Sequence, residues 1–333
     1  MRLLVIGGTR FVGKHMVEAA VARGHDVTLF NRGNRPAPRG VSRELRGDRD
    51  EDLSALAEGT WDAVLDTSAY LPRQVRSLVD ALGSRVGFYA LVSTVSVYAD
   101  QTLPHLDEDA ALAEVDDEDA EEVTNRNYGG LKALCERTLA ERFEGPTLVI
   151  RPGIVVGPHD PTDRFTYWPA RFARGGDVLV PDRRDAPMQW VDARDLAAWT
   201  LKAVEDGLTA TYNVATEPWR FTLGDLIDAC LAHAPARTRA VPVAEAWLLE
   251  QGVRPFVDVP LWLPGEMGNV FLIDSSRAHA AGLEDTPVAR TVADTLAWWR
   301  ASGSPAPTTG MDAAREARLL ARWARAVDAP RDA

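Results

Sequence analysis

Cysteine and lysine are almost missing from this chain of 333 residues. The two cysteines, Cys135 and Cys230, stand far apart and in no metal-ligand spacing. That excludes a disulfide framework and points to a reducing, cytoplasmic setting. The six histidines are scattered, with no pair at zinc-site spacing. No apolar run approaches the ~18 residues of a membrane helix, so no membrane partner is expected. The first apolar stretch meets Gly7 and Gly8 too soon for a secretory signal. A basic footprint for nucleic acid is also lacking, and the formal net charge is −12. Most of that charge is local: Asp107 to Glu122 holds ten carboxylates and no basic residue. Such a run reads either as a solvated surface insertion or as a docking surface for a basic partner.

What is present alternates. Arg2–Ile6, Asp26–Phe30, Ala63–Asp66, Phe88–Ser93 and Thr147–Ile150 read as buried strands, and a further strand precedes Gly47. Phe11–Arg23, Glu51–Ala57, Arg73–Leu82 and Tyr128–Phe143 have helical spacing between them. This alternation predicts an α/β fold, a doubly wound parallel sheet covered on both faces. A helix at Asp195–Glu205 and a strand at Thr211–Val214 return to it. The expected division is 1–158 plus about 190–214 for the sheet domain, and 159–189 with 215–305 for a smaller C-terminal substrate-binding part. A linker and a helical tail occupy 306–333.

The first strand runs into Gly7-Gly8-Thr9-Arg10-Phe11-Val12-Gly13 and then a helix. In that context backbone N–H groups approach a pyrophosphate and the helix N-terminus favours its charge. The middle glycine of the usual fingerprint is Arg10 here. After the second strand, where a carboxylate ordinarily holds the 2′-hydroxyl of NAD, the chain has Asn31-Arg32. An arginine there suits a 2′-phosphate, which favours NADP(H) and leaves NAD(H) open. Asp48 is a candidate acceptor for the adenine amino group. The fourth strand ends in Thr67-Ser68-Ala69-Tyr70, offering Thr67 and Ser68 to the cofactor and Tyr70 to substrate.

Of 37 basic residues only Lys14, Lys132 and Lys202 are lysines. Lys132 follows Tyr128 by four residues, placing phenol and ammonium on one helix face. A nearby positive charge favours phenolate, making Tyr128 a usable proton donor or acceptor. The lysine can also hold ribose hydroxyls as a compact donor.

Gly7–Gly13, Ser93–Tyr98, Tyr128–Lys132 and Arg151–Pro158 occur in the order typical of extended short-chain dehydrogenases/reductases. Over about residues 1–300 the chain resembles the NAD-dependent epimerase/dehydratase family. The resemblance implies a Rossmann fold, a nicotinamide dinucleotide and a hydroxyl–Tyr–Lys triad. It places the triad hydroxyl at Thr94, a substrate contact at Ser96, and nicotinamide contacts near Pro152 and Ile154. Arg164, Trp168 and Gln189 are further substrate candidates. The family's sugar dehydratases carry Asp-Glu after the triad threonine; here Val95-Ser96 stand there, so elimination of water is not expected. Met188 replaces the arginine usual in sugar-nucleotide enzymes. Gly-Gly-Thr-Arg-Phe resembles an atypical branch that includes chloroplast RNA-binding proteins. The implied function is an NAD(P)-dependent oxidoreductase acting on a small-molecule carbonyl or its alcohol. The alternatives are an epimerase of a sugar-like substrate and a non-catalytic RNA-binding or scaffold protein. A homo-oligomer is left open.

Overall fold

The interiors of the strands at 3–6 and 63–65 are apolar because both faces of the sheet they form are covered. In the computed structural model, which describes residues 1–118 and 120–328, the sheet has seven parallel strands. These are β1 (Arg2–Ile6), β2 (Asp26–Asn31), β3 (Arg43–Arg46), β4 (Ala63–Asp66), β5 (Tyr89–Val92), β6 (Thr147–Pro152) and a last strand at Ala210–Val214. Their spatial order is β3-β2-β1-β4-β5-β6 and then the last strand. This is the Rossmann order, with its reversal between β1 and β4. Leu3 pairs with Val27 on one side and Ala63 on the other.

Side-chain alternation sorts the core into two layers. Leu3 and Val5 face α1 (Phe11–Ala22) and the helix Ala193–Glu205, through Met16, Val17, Leu196 and Ala197. Leu4 and Ile6 share the opposite layer with Val75 and Leu78 of α2 (Pro72–Leu82) and Leu139 of α3 (Tyr128–Arg142). Pro72 opens α2, where its missing N–H costs nothing, and Gln74 Oε1 accepts from the N–H groups of Tyr70 and Leu71 at 2.8 and 3.2 Å.

Two compact units divide the chain: 1–155, 190–217 and 273–285 form the first, and 156–189, 218–272 and the residues from 286 onward the second. The segment 273–285 sits with the sheet, its Asp274 carbonyl accepting from Asn213 Nδ2 at 2.9 Å. In unit 2 the strands Asp177–Pro181 and Arg239–Val243 pair in parallel. The tail helix Ala313–Asp328 packs on its own chain: buried Glu316 accepts from Arg171 Nε at 2.5 Å and from Leu179 N–H at 3.0 Å. The expected tail residues 329–333 lie outside the described residues.

Two expectations fail. The helix expected at Glu51–Ala57 is a single 3₁₀ turn, Ser54–Leu56, because Asp52 takes the Ser54 N–H at 2.8 Å and so makes a side-chain turn. The acidic segment, of which Asp119 lies outside the described residues, is not simply a solvated insertion. Glu108 is buried, and its carboxylate accepts from Asn213 N–H at 2.8 Å. Val115 and Ala120 pack with Leu71, Leu131 and Leu134. Among the described residues no helix is long and apolar enough to cross a membrane.

Candidate dinucleotide and proton-transfer site

The turn between β1 and α1 is built to bring backbone close. Gly7 and Gly8 have φ of +96° and +81°, which L side chains rarely adopt. A Cβ on Gly13 would lie 2.7 Å from Gly8 N and 2.9 Å from Thr67 Oγ1. Thr67 is itself fixed by donating to the Ile6 carbonyl at 2.8 Å. At the start of α1, exposed Arg10 makes no side-chain cap and no acidic residue occupies the first turn. Thr9, Phe11 and Val12 are half-buried around it, Phe11 with an unusual φ of +30°. A cradle that a single Cβ would fill, ahead of a helix N-terminus without a carboxylate, fits a dinucleotide's pyrophosphate.

The end of β2 is more mixed than its sequence implies. Asn31 Nδ2 donates to Glu44 Oε1 at 3.2 Å, because β3 pairs Leu29 with Glu44 and Asn31 with Arg46. A carboxylate therefore does stand near this strand end, supplied by the neighbouring strand. Arg46 offsets it: its guanidinium lies 3.7 Å from Glu44 and borders Gly33, and Arg32 and Arg35 are exposed alongside in sequence. Glu44 and Arg46 were hidden from sequence reasoning because only strand register reveals them. Asp48 is half-buried and its Oδ1 accepts from Asp50 N–H at 3.0 Å.

Two buried ionic networks, unrecognised in the sequence, hold the strand ends. Asp66 accepts from both terminal nitrogens of Arg49, at 2.8 and 3.0 Å, and from the Tyr89 hydroxyl at 2.7 Å. Arg49 also donates to Ser68 Oγ at 3.1 Å, fixing the loop that carries Thr67 to Tyr70. Beside β5, Ser93 donates to Glu136 of α3, which pairs with Arg151 of β6 at 2.7 Å. Arg151 reaches the Tyr98 hydroxyl at 3.2 Å, and that hydroxyl donates to Asn213 Oδ1 at 2.5 Å.

Thr94 and the start of α3 meet over these supports. Thr94 is buried and its Oγ1 accepts from Ser96 N–H at 3.1 Å, which leaves its own hydroxyl proton to donate. A Cβ on Gly129 would lie 2.0 Å from the Ser96 carbonyl, so only glycine lets the first turn of α3 rest on the 94–97 segment. The signal was available: two adjacent glycines inside a helix are costly unless something approaches closely. Tyr128 is half-buried, with its ring 6.4 Å from that of Tyr70. Lys132 is buried, unlike the surface pairs Lys14–Glu18 and Lys202–Asp206. Its Nζ donates to the Ala69 and Val92 carbonyls at 2.6 and 2.7 Å and stands 5.7 Å from the Tyr70 ring centre. Burial pulls the Lys132 pKa below the ordinary lysine value, opposed by the neighbouring Cys135, Asp66 and Glu136.

Pro152 is buried at the end of β6, and the Ile154 carbonyl accepts from Val191 N–H at 2.9 Å. The other substrate candidates belong to unit 2. Arg164 donates to Thr162 Oγ1 and lies over Phe256. Trp168 is wholly buried, with its indole N–H donating to the Pro260 carbonyl at 2.9 Å. Gln189 is likewise enclosed, at 3% exposure.

A family model described as the NAD dependent epimerase/dehydratase family matches residues 3–73 and 73–215. The chain belongs to that family. It is 29% identical over 255 residues to the chloroplast stem-loop binding protein of 41 kDa b of Arabidopsis thaliana, covering 69% of this chain and 62% of that protein. The chain thus spans under two thirds of that relative's length. It is 26% identical over 248 residues to a dTDP-4-dehydro-6-deoxy-D-allose reductase of Streptomyces sp, covering 64% of this chain and 75% of that enzyme. Among solved structures, the Bordetella bronchiseptica enzyme WbmG in complex with NAD and UDP superposes with a TM-score of 0.65. It is 18% identical and covers 91% of this chain and 96% of its own, a likeness of fold.

Proposed function

We propose that the protein is an NAD(P)-dependent oxidoreductase that reduces a small-molecule carbonyl, or oxidises the corresponding alcohol. The observation that carries this reading is Lys132: a buried ammonium one helical turn from Tyr128, held by two strand-end carbonyls. Family membership and the reductase named among the relatives support it.

When bound, the nicotinamide supplies or accepts the hydride. Gly7, Gly13 and the N-terminus of α1 would hold the pyrophosphate. Arg32 and Arg46 would hold a 2′-phosphate, making NADP(H) the preferred form, while Glu44 keeps NAD(H) admissible. Thr94 donates a hydrogen bond to the carbonyl oxygen and keeps its proton, and Tyr128 delivers the one proton that completes the alcohol. Lys132 has three N–H donors and two are committed, so the third is free to serve the ribose. Its charge stabilises the phenolate that Tyr128 becomes. Tyr70 and Ser96 border this group and would touch substrate.

The test is titration of gently purified protein with NADPH and NADH, read by tryptophan fluorescence, together with native mass spectrometry. Exchangeable, micromolar binding with NADPH preferred is the expected result. One tightly retained NAD per chain would favour the epimerase, which must keep its cofactor through both half-reactions. Failure to bind either dinucleotide would overturn the reading and favour a non-catalytic role.

A further inference from the structure

The tail helix Ala313–Asp328 has one face spent on its own chain and another facing solvent. Glu316 and Leu319 are buried, Trp323 donates its indole N–H to the Pro242 carbonyl at 3.0 Å, and Arg315 pairs with Asp258 at 2.8 Å. At ~100° per residue, Arg318, Arg322 and Arg325 fall within ~60° of arc on the opposite side. All three are exposed, and among the described residues none of them forms an ion pair. Ala314 and Ala321 flank them, exposed and too small to shield the guanidiniums.

The same chain carries the complementary surface. In the acidic segment, Glu114, Asp116, Glu121 and Glu122 are exposed and likewise form no ion pair among the described residues. The segment is anchored: the Ala99 and Ala113 N–H groups donate to the Ala111 and Val97 carbonyls at 2.9 and 2.7 Å, and Val115 packs with Leu71, Leu131 and Leu134. Fixing like charges together costs self-repulsion, which a cationic surface relieves. Leu112 and Val123, 38% and 41% exposed, add apolar area beside the carboxylates. Arginine is weakly hydrated and grips carboxylates bidentately, which suits it to such a contact. Other occupants fit less well. A membrane would need the apolar face of the helix, which Leu319 and Trp323 turn toward their own chain. A nucleic acid would have to approach a chain of net charge −12.

We propose that the tail helix docks, through Arg318, Arg322 and Arg325, on the acidic segment around Glu114 and Glu121 of a second copy of this chain. In a two-fold pair each copy gives its tail and receives the other's, so both contacts form at once. The inference does not rest on the hydride-transfer reading.

The test is sedimentation velocity on the full chain at about 50 mM salt, where exposed charges are weakly screened. Wild type should self-associate with micromolar affinity, and about 500 mM salt should weaken that at least tenfold. Arg318→Glu, Arg322→Glu and Arg325→Glu together should weaken association by more than about tenfold. Glu114→Lys, Asp116→Lys, Glu121→Lys and Glu122→Lys together should do the same. An equimolar mixture of the two reversed proteins should associate again, because each tail then meets the opposite charge. Changing the three arginines to Gln, at exposed positions, should weaken association by about threefold and keeps the test open if a reversed protein misfolds. Wild type that stays monomeric, association unchanged in the Gln variant, or a mixture of folded reversed proteins that does not associate would each overturn the proposal. So would binding of poly(U) RNA or of phosphatidylserine vesicles that the tail reversal abolishes, since it assigns the arginines to another partner.

Discussion

Replacing Asp66 by Asn should be among the most damaging single changes in unit 1. The carboxylate is fully buried and accepts from both terminal nitrogens of Arg49, the Tyr89 hydroxyl and the Ser68 N–H. An amide keeps the shape and one acceptor oxygen but removes the charge. Arg49, whose side chain is 9% exposed and whose Nε already lacks a partner, then remains as a buried cation without its anion. Breaking a buried pair this way costs about 3–5 kcal/mol. At roughly 2–4 °C per kcal/mol for a domain of this size, the melting temperature should fall by about 6–20 °C. Urea unfolding followed by circular dichroism measures the free energy directly. The Asp66→Asn, Arg49→Met double variant removes the stranded cation and should recover more than ~2 kcal/mol of the loss. Acid adds a second reading. Burial alone would raise the Asp66 pKa, but the Arg49 guanidinium and the hydrogen bonds outweigh it and the net shift is downward. The contribution is therefore present above the unfolded value near ~3.9 and lost as pH falls toward the folded one. Wild type should lose stability below about pH 4 more steeply than Asp66→Asn. A cost under ~1 kcal/mol, or additive behaviour of the two substitutions, would refute the reasoning.

Tyr128→Phe should lower kcat by about 10²–10⁴-fold, with dinucleotide affinity little changed, since only the proton donor is lost; turnover within tenfold of wild type on an accepted substrate would remove it from that role. Gly129→Ala must displace α3 from the Ser96 carbonyl, 2.0 Å from the new Cβ. It should therefore cut kcat while NADPH binding by fluorescence titration persists; an unchanged kcat would show that the contact between helix and loop does not position Tyr128. Arg32→Asp should shift preference from NADP toward NAD by about 2–3 kcal/mol, through a lost charge-assisted bond and added repulsion. Equal binding of both cofactors by wild-type protein in calorimetry would remove the basis for this.

The framework was legible where local pattern and tertiary role coincide. β1 and β4 run from Arg2 to Ile6 and from Ala63 to Asp66 as read, because strands buried on both faces carry an uninterrupted apolar run, Leu3–Ile6 and Ala63–Leu65. Helix α3 was visible because Tyr128 and Lys132 have helical spacing. At the sheet edge, β3 carries one buried residue, Leu45, among three polar ones. Its pattern could suggest a strand but not the register that sets Glu44 against Asn31. Sequence spacing likewise could not show Trp168 turning inward, because the decisive partner, the Pro260 carbonyl, lies 92 residues away.

The site divides in the same way. Its proposed chemistry rests on residues four apart, whereas its supports join residues 15 apart in Glu136–Arg151, 17 in Arg49–Asp66 and 115 in Tyr98–Asn213. Such pairs can be recognised only once the strands are aligned. They also explain the position of the one buried lysine. The Ala69 and Val92 carbonyls converge on a single nitrogen at 2.6 and 2.7 Å, a demand met by a tetrahedral ammonium. A guanidinium spreads its donors across a plane and meets two carbonyls converging on one point less well. A chain that otherwise relies on arginine therefore keeps a lysine where strand geometry requires a compact charge.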